Sequence, residues 1–484
     1  MRPFLLLLAG VAIAGEPGFD EIFDPSKFAE AQERMALRQA AFESAAQARG
    51  AGAAVPGFRG CERAIEGLRE ELDADYARYR KLAGEWWGWR RQYEADYERK
   101  HGRPPAEYPI PQGLNASFLD SEKAFRRSRS LLLQERLFHE WALGRTAELL
   151  GEGGGKAIAR GLKDPAPAQR LRCARLARAL GATAEAAAAA AGEGHPGVLA
   201  VLAEVAPSEA LLSHAAWNVR AGAIRGAARL GTREAAGWLV ARLVLEDGRL
   251  RDDLVDALRA MSGEEAGYDP ARWRAWAEAL PADWRAKGGG PGAGKPPGPL
   301  DEPKAPGVFS DGPVSFFGVR SATRAAVWCV QASAGWEQVR EEVKRSVATL
   351  PDGAQFGVVA YDSEAHRFKS GLVEANATNR DALAHWLDAL KPDRGADPYA
   401  GLDAALTLAA KKAKVPAADT IFLAALTRPP EGTLLDDPRQ VMLEITAENA
   451  LLGIRIHALG PSDGSDSFYL QHLAAQWGGA HVNG

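Results

Sequence analysis

AAVWCVQASAGWEQVREEVKRSVATL, residues 325–350, decides how the last third of this 484-residue chain folds. Its first part, AAVWCVQAS, is an apolar run ending in small turn residues, which reads as a buried strand; the rest, GWEQVREEVKRSVATL, reads as a helix. Working outward, the same alternation continues. AQFGVVAYDS (354–363), DTIFLAAL (419–426) and IRIHALGP (454–461) read as strands. NRDALAHWLDAL (379–390), YAGLDAALTLAAKK (399–412), DPRQVMLEITAENALL (437–452) and FYLQHLAAQWGG (468–479) read as helices. Strands alternating with helices of this length build a mostly parallel sheet covered on both faces, so residues 308–484 are expected to form a doubly wound, Rossmann-like α/β domain.

The chain is too long for one core and is expected to be multidomain. Upstream of residue 308 the period is helical. In residues 16–151, Ile65, Leu68, Leu72, Tyr76, Tyr79, Leu82, Trp86, Trp89 and Tyr93 recur every three or four positions. That spacing makes an apolar seam along a helix of roughly forty residues. Residues 116–150 supply a partner helix carrying Phe118, Phe125, Leu132, Leu133, Leu137 and Trp141. A helical hairpin or coiled coil is the economical arrangement, and whether it pairs within one chain or between two is open. The stretch EWWGWRRQYEADYERK (85–100) is rich enough in aromatics to bind sugar or peptide, but rings at helical spacing are more often interface.

Residues 152–286 contain a weaker periodicity. QRLRCARLARALG (169–181) aligns with NVRAGAIRGAARLG (218–231), matching Arg170 with Arg220 and Leu180 with Leu230, and RLRDDLVDALRAMSG (249–263) follows. Helix-turn-helix units of about 30 to 45 residues that stack on one another form an α-solenoid. The segment resembles HEAT repeats, most clearly at residues 219–231. Trp273, Trp276 and Trp284 are placed to cap the last helix. KGGGPGAGKPPGPLDEPKAPG (287–307) is dominated by Gly and Pro and reads as a linker that lets the terminal domain sample orientations.

Arg2, the apolar stretch from Phe4 to Ile13 and the small residues Ala12 and Ala14 have the anatomy of a signal peptide, assigned to residues 1–15. The stretch is well short of the ~20 residues a bilayer span needs, so an extracytoplasmic protein without stable membrane insertion is expected. Lys and Arg (59) nearly balance Asp and Glu (63), which removes any general attraction to nucleic acid. Cys61, Cys173 and Cys329 lie far apart and are expected to be buried thiols. Richness in Ala, Gly and Arg fits a GC-rich bacterial genome.

The terminal segment is similar to the von Willebrand factor A (vWA) family over residues 314–483. The resemblance rests on the first strand running into a small-residue turn, QFGVVAYDS, PDRGADPYAGLDAAL, DTIFLAAL and the ending LAAQWGGAHV. It implies a divalent-cation site at the carboxyl ends of the strands, built from an Asp-x-Ser-x-Ser motif, a Thr and a further Asp. Those positions fall on Gln331, Ser333, Gly335, Ala396 and Leu426. Four of the five are lost, and one amide with one hydroxyl cannot offset the dehydration of a hard cation. No metal or other cofactor is therefore expected. Asp397 is read as the cap of the helix beginning at Pro398.

No H-E-x-x-H, G-x-S-x-G, Walker loop or dinucleotide fingerprint is present in a suitable setting. GEGGGK (151–156) lacks the strand before and the Ser or Thr after that a phosphate loop needs. The expectation is a non-catalytic, exported protein-binding scaffold with an unknown protein partner. Its candidate surface includes Ser333, Asp397, Thr427, Arg428 and Glu431, and self-association through the coiled coil stays open. Two other readings compete: an adhesion module whose cation is held by non-standard oxygens around Ser333 and Asp397, and a hydrolase within the helical half.

Overall fold

The computed structural model describes residues 31–105, 107–286, 310–333, 335–392, 395–411, 413–426, 433–460 and 465–483. The signal-peptide and linker readings fall on residues outside this set. The chain divides into two compact units, Met1–Leu150 and Gly151–Gly484.

In the first unit, α1 (Ala31–Arg49), α2 (Ala54–His101) and α3 (Gln112–Leu150) are the three helices the periodicity requires. Pro56 and Gly57 sit in the first turn of α2, where the N–H that proline lacks would have no partner within the helix. Gly102 ends α2 in the left-handed region, φ 66°, donating to Glu98 O at 2.8 Å. The aromatic seam is an interface between α2 and α3. Tyr76 and Tyr79 lie against Phe125, with ring centroids 5.1 Å away in each case, and Trp86 stacks on Phe118 at 5.6 Å. At the inner end Phe42, Phe58, Leu132 and Phe138 are fully buried. Among them Arg38 forms a two-pronged ion pair with Glu135, 2.5 and 2.9 Å, and its guanidinium lies 3.8 Å from the Phe138 ring centre.

The second unit begins with stacked helices: α4 (Gly155–Gly161), α5 (Pro167–Leu180), α6 (Thr183–Ala190), α7 (Pro196–Val205), α8 (Glu209–Leu212), α9 (Trp217–Leu230), α10 (Arg233–Leu243), α11 (Arg249–Ser262) and α12 (Pro270–Ala279). Helices α5, α7, α9 and α11 pack in succession. The aligned residues do the same work twice. Arg170 donates to Asp164 O and Pro165 O (2.8 and 2.9 Å) and pairs with Glu193. Arg220 donates to His214 O and Ala215 O (2.7 and 3.0 Å) and pairs with Glu246. Each ties the loop before its helix to the helix itself. Gly222 and Gly226 permit close approach of α9 to α7, since a Cβ there would stand 2.1 Å from Ala200 O and 2.6 Å from Ala203 O. Trp273 is buried and meets Trp276 edge to face, which in turn meets Trp284, as the capping reading requires.

The remainder is an α/β layer structure. A small hairpin of β1 (Val314–Phe316) and β2 (Val319–Ser321) turns through Phe317 and Gly318, both at positive φ (45° and 83°). The main sheet holds β3 (Ala325–Gln331), β4 (Gln355–Tyr361), β5 (Ala365–Arg367), β6 (Val373–Glu374), β7 (Thr420–Ala424), β8 (Arg455–Gly460) and β9 (His481–Asn483). Its order is β5-β4-β3-β7-β8-β9, with β6 also on β4. The strands β4, β3, β7, β8 and β9 are parallel, and β5 and β6 run antiparallel to β4. Helices α13 (Trp336–Ala348), α14 (Ala377–Ala389), α15 (Pro398–Ala410), α16 (Pro438–Asn449) and α17 (Ser465–Gln476) cover it. Alternate β3 side chains go to opposite faces: Trp328 and Val330 join the core under α13, while Val327 and Cys329 are buried on the other side. Cys61, Cys173 and Cys329 are all buried and outside any disulfide.

The linker composition suggested an independently placed terminal domain, but in this structure the α/β layers pack against the stacked helices within one compact unit. The amino ends of β3, β7 and β8 rest on α7, α9 and α11 through a buried polar seam. Arg249 donates to Asp419 O (2.8 Å) and Gly453 O (2.9 Å). Arg455 pairs with Asp253, and Trp217 Nε1 donates to Pro416 O at 3.0 Å. Asp252 on α11 accepts from Ala322 N (2.9 Å), Ser310 Oγ (2.9 Å), Ser321 Oγ (3.3 Å) and Tyr268 OH. These charges are inaccessible, Arg249, Asp252 and Arg455 being 2%, 0% and 3% exposed. They hold together because each has a partner across the seam.

Two outcomes follow. Glu135→Ala strands Arg38 in an apolar setting and should cost the first unit about 3–5 kcal/mol in chemical denaturation, with an unchanged denaturant slope. Burial raises the Asp252 carboxyl from 3.8 to about 7. Between those values the folded state holds a proton that the unfolded chain has released, so stability contributed here falls as pH rises through the window and is flat above it. Asp252→Asn should flatten that slope when unfolding midpoints are compared at about pH 5 and about pH 8.

Candidate functional site

An open parallel sheet offers its binding crevice at the carboxyl ends of its strands, where the winding direction reverses. Here that point lies between β3, which precedes β4 in the chain and pairs with it on one side, and β7, its neighbour on the other. Gln331 is the last residue of β3 and is 1% exposed. Its Oε1 accepts from Leu426 N at 2.8 Å and its Nε2 donates to Ser333 Oγ at 2.6 Å. One side chain thus braces the end of β7 and holds the first hydroxyl of the turn. Beyond it, Gly335 takes φ 77° as the residue before α13, with a Leu426 methyl 3.7 Å from where its Cβ would be.

The neighbouring loops carry two carboxylates. Asp397 is 2% exposed; its Oδ1 accepts from Ala400 N at 3.0 Å, the capping role read from the sequence. Its own N donates to Asp362 O at 2.7 Å, and Ala396 beside it is buried. Asp362, 4% exposed just after β4, accepts from Glu364 N at 3.0 Å and lies 3.0 Å from His366 Nε2. Gly395 is needed for this contact between loops, because a Cβ there would stand 2.5 Å from Ser363 N. Nothing in the local sequence marks Asp362 as a site residue beyond an Asp and a His four positions apart, and β5 had to be known for that spacing to place them together.

The structure therefore brings Gln331, Ser333 and Leu426 into one hydrogen-bonded group, sets Gly335 behind it, and links Ala396 and Asp397 to the Asp362 loop. Thr427, Arg428 and Glu431 lie outside the described residues. The donor set does not suit a hard divalent cation, which wants six oxygens including carboxylates at about 2.0–2.1 Å. The Gln331 amide and Ser333 hydroxyl serve each other, and Asp362 and Asp397 shape their own loops. Among the described residues no three His, Cys, Asp or Glu side chains gather as a ligand set. The side-chain partner of the Ser333 hydroxyl is the Gln331 amide. His457, on β8, serves the core: it stacks on Phe422, accepts from Ala480 N at 3.0 Å, and burial keeps its pKa well below the usual range. In the helical half, a groove of about 350 Å³ between α10 and α12 is lined by small apolar residues with Arg233, Arg274 and Glu278, a lining with one carboxylate and no His, Ser or Cys.

No family model and no curated protein matches the chain. Solved structures that resemble part of it include a von Willebrand factor type A protein from Catenulispora acidiphila, 19% identical, covering 34% of this chain and 38% of that one, TM-score 0.29. Proximal thread matrix protein 1 from the mussel byssus is 16% identical over 33% of this chain and 41% of its own, TM-score 0.25. The conserved hypothetical protein BatB from Bacteroides thetaiotaomicron is 12% identical, covering 33% of this chain and 89% of that one, TM-score 0.24. The match thus spans well under half of the first two proteins.

Gln331→Ala removes the acceptor of the part-buried Leu426 N–H and should cost about 1 kcal/mol in urea unfolding. The same change at exposed Gln355 should cost nothing measurable.

Proposed function

We propose that this chain is an exported, non-catalytic binding protein in which a vWA-like domain with an erased metal motif engages a protein partner through the carboxyl ends of its strands. The HEAT-like helices hold the opposite end of that domain. The observation that carries the reading is the Gln331 brace: where the family resemblance calls for a cation-binding carboxylate, a neutral amide closes the site with internal hydrogen bonds. Recognition there falls to shape and side chains, and the stacked helices cover the amino ends of β3, β7 and β8, leaving the other end for a partner. Export is supported by the composition of residues 1–15. Among the described residues no helix is long and apolar enough to cross a membrane.

The competing reading is a metal-dependent adhesion module with non-standard oxygens from Ser333, Asp362 and Asp397. Calorimetric titration with Mg²⁺, Mn²⁺ and Ca²⁺ separates the two. We expect no isotherm; a one-site isotherm that vanishes in Asp397→Ala would overturn the proposal. In parallel, affinity capture from the producing cells' exterior should recover a partner with the wild-type chain and lose it with Ser333→Arg, which places a bulky charge on the proposed surface.

A further inference from the structure

Charge is segregated along the α2–α3 hairpin. Residues 76–91 and 115–130 meet through the Tyr76–Phe125 and Trp86–Phe118 ring contacts, and together they carry nine Arg or Lys against three Asp or Glu. The inner half of the same two helices, 54–75 and 131–150, carries five against nine, and the whole chain has a formal net charge of −4. The outer half is thus a local band of positive charge in an acidic chain, and it concentrates anions that the rest of the surface repels.

Part of this charge shares one face with apolar side chains. Tyr79 stacks on Phe125 and Trp86 on Phe118 across the hairpin. In an antiparallel pair, a step of one residue on from each partner turns both helices toward the same side, which places Arg80, Trp87, Leu119 and Arg126 together on it. One turn further, Arg91 follows Trp87 and Lys123 follows Leu119 on that side. Arg80, Arg91, Lys123 and Arg126 are all exposed. Trp87 and Leu119, at 49% and 50%, are among the large apolar side chains most open to solvent. Glu94 and Glu122 border the face, Glu122 pairing with Arg126 at 2.8 Å.

We propose that the hairpin lies on an anionic membrane surface through this face, with Arg80, Arg91, Lys123 and Arg126 against lipid phosphates and Trp87 and Leu119 at the acyl boundary. A cationic face with apolar side chains set into it complements a surface that is anionic outside and apolar beneath, and a bilayer rich in anionic lipid is such a surface. A single-stranded nucleic acid would match the charge, but it is held by bases stacking on open ring faces. Arg90 stands over the Trp87 ring at 5.1 Å and Trp86 meets that ring edge to face at 4.8 Å, while Leu119 offers a base nothing to stack on or hydrogen-bond. Residues 76–91 extend about 24 Å along α2, long enough to meet several headgroups. The contact is adsorption: among the described residues no helix is long and apolar enough to cross a membrane.

Flotation of the full chain with lipid vesicles tests this. Vesicles of equal parts phosphatidylglycerol and phosphatidylcholine should carry the protein at about 0.1 M salt and release most of it at about 1 M, where charges are screened within about 3 Å. Arg80→Glu with Lys123→Glu should lower partitioning at least about tenfold. Arg63→Glu with Lys163→Glu makes the same change in net charge at exposed positions away from the face and should leave partitioning within about twofold of wild type. Trp87→Ser with Leu119→Ser leaves the charge unaltered and should still weaken binding several-fold. Far-UV circular dichroism of every variant should match the wild type, since the altered side chains are exposed. A chain that ignores anionic vesicles overturns the proposal, as does binding indifferent to either of the two face variants. If only the charges matter, competition by single-stranded DNA would identify the face as a polyanion site instead.

Discussion

Arg249 and Arg455 are the charges on which the second unit depends. Both are buried at the foot of the sheet, where desolvating a guanidinium is costly unless its donors find acceptors. Arg249 finds them in the carbonyls of Asp419 and Gly453, and Arg455 in the carboxylate of Asp253. Burial works to raise the pKa of Asp253, but Arg249, Arg455 and Arg225 together outweigh it and hold that carboxyl below its usual range. Because each of these donors and its acceptor lie in different blocks, separating the stacked helices from the sheet breaks the bonds on both sides of the seam. The two behave as one folding unit, and the direction in which the sheet presents its carboxyl ends is set by the helices beneath it.

That geometry gives the Gln331 brace its meaning. A carboxylate at Gln331 could accept from Leu426 N and from the Ser333 hydroxyl, but at 1% exposure its charge would be costly without a cation or a proton. The amide supplies both a donor and an acceptor. The end of β3 is therefore tied to the end of β7 without an ion, and the rigidity an ion would lend to the loops comes instead from hydrogen bonds between Asp397 N and Asp362 O and within each loop.

The parts of the fold that were legible in sequence are those with long, strong periods. Residues 325–331 and 355–361 are apolar runs bounded by turns, and α2 carries its seam over several turns of helix. The short strands β1, β2, β5, β6 and β9 have two or three residues each, too few for alternation to show. Gln331 could be recognised as a lost ligand but not as a brace, because its acceptor role depends on Leu426, 95 positions away. The seam was hidden for the same reason: Arg249 and Asp419 are 170 positions apart, and nothing local distinguishes a buried Arg at the start of a helix from a solvated one. Gly and Pro in residues 287–307 suggest a connection, but such composition says nothing about whether the blocks on either side adhere.

The three thiols show what this packing does to chemistry. A cysteine reacts with oxidants or disulfides as its thiolate, and burial suppresses that form. Desolvation pushes Cys173 up to about 12, and Cys329, enclosed in the middle of β3, is also raised. With no crosslink to make or break, the fold draws its stability from packing and ion pairing alone. A change between reducing and oxidising surroundings should therefore leave its shape untouched.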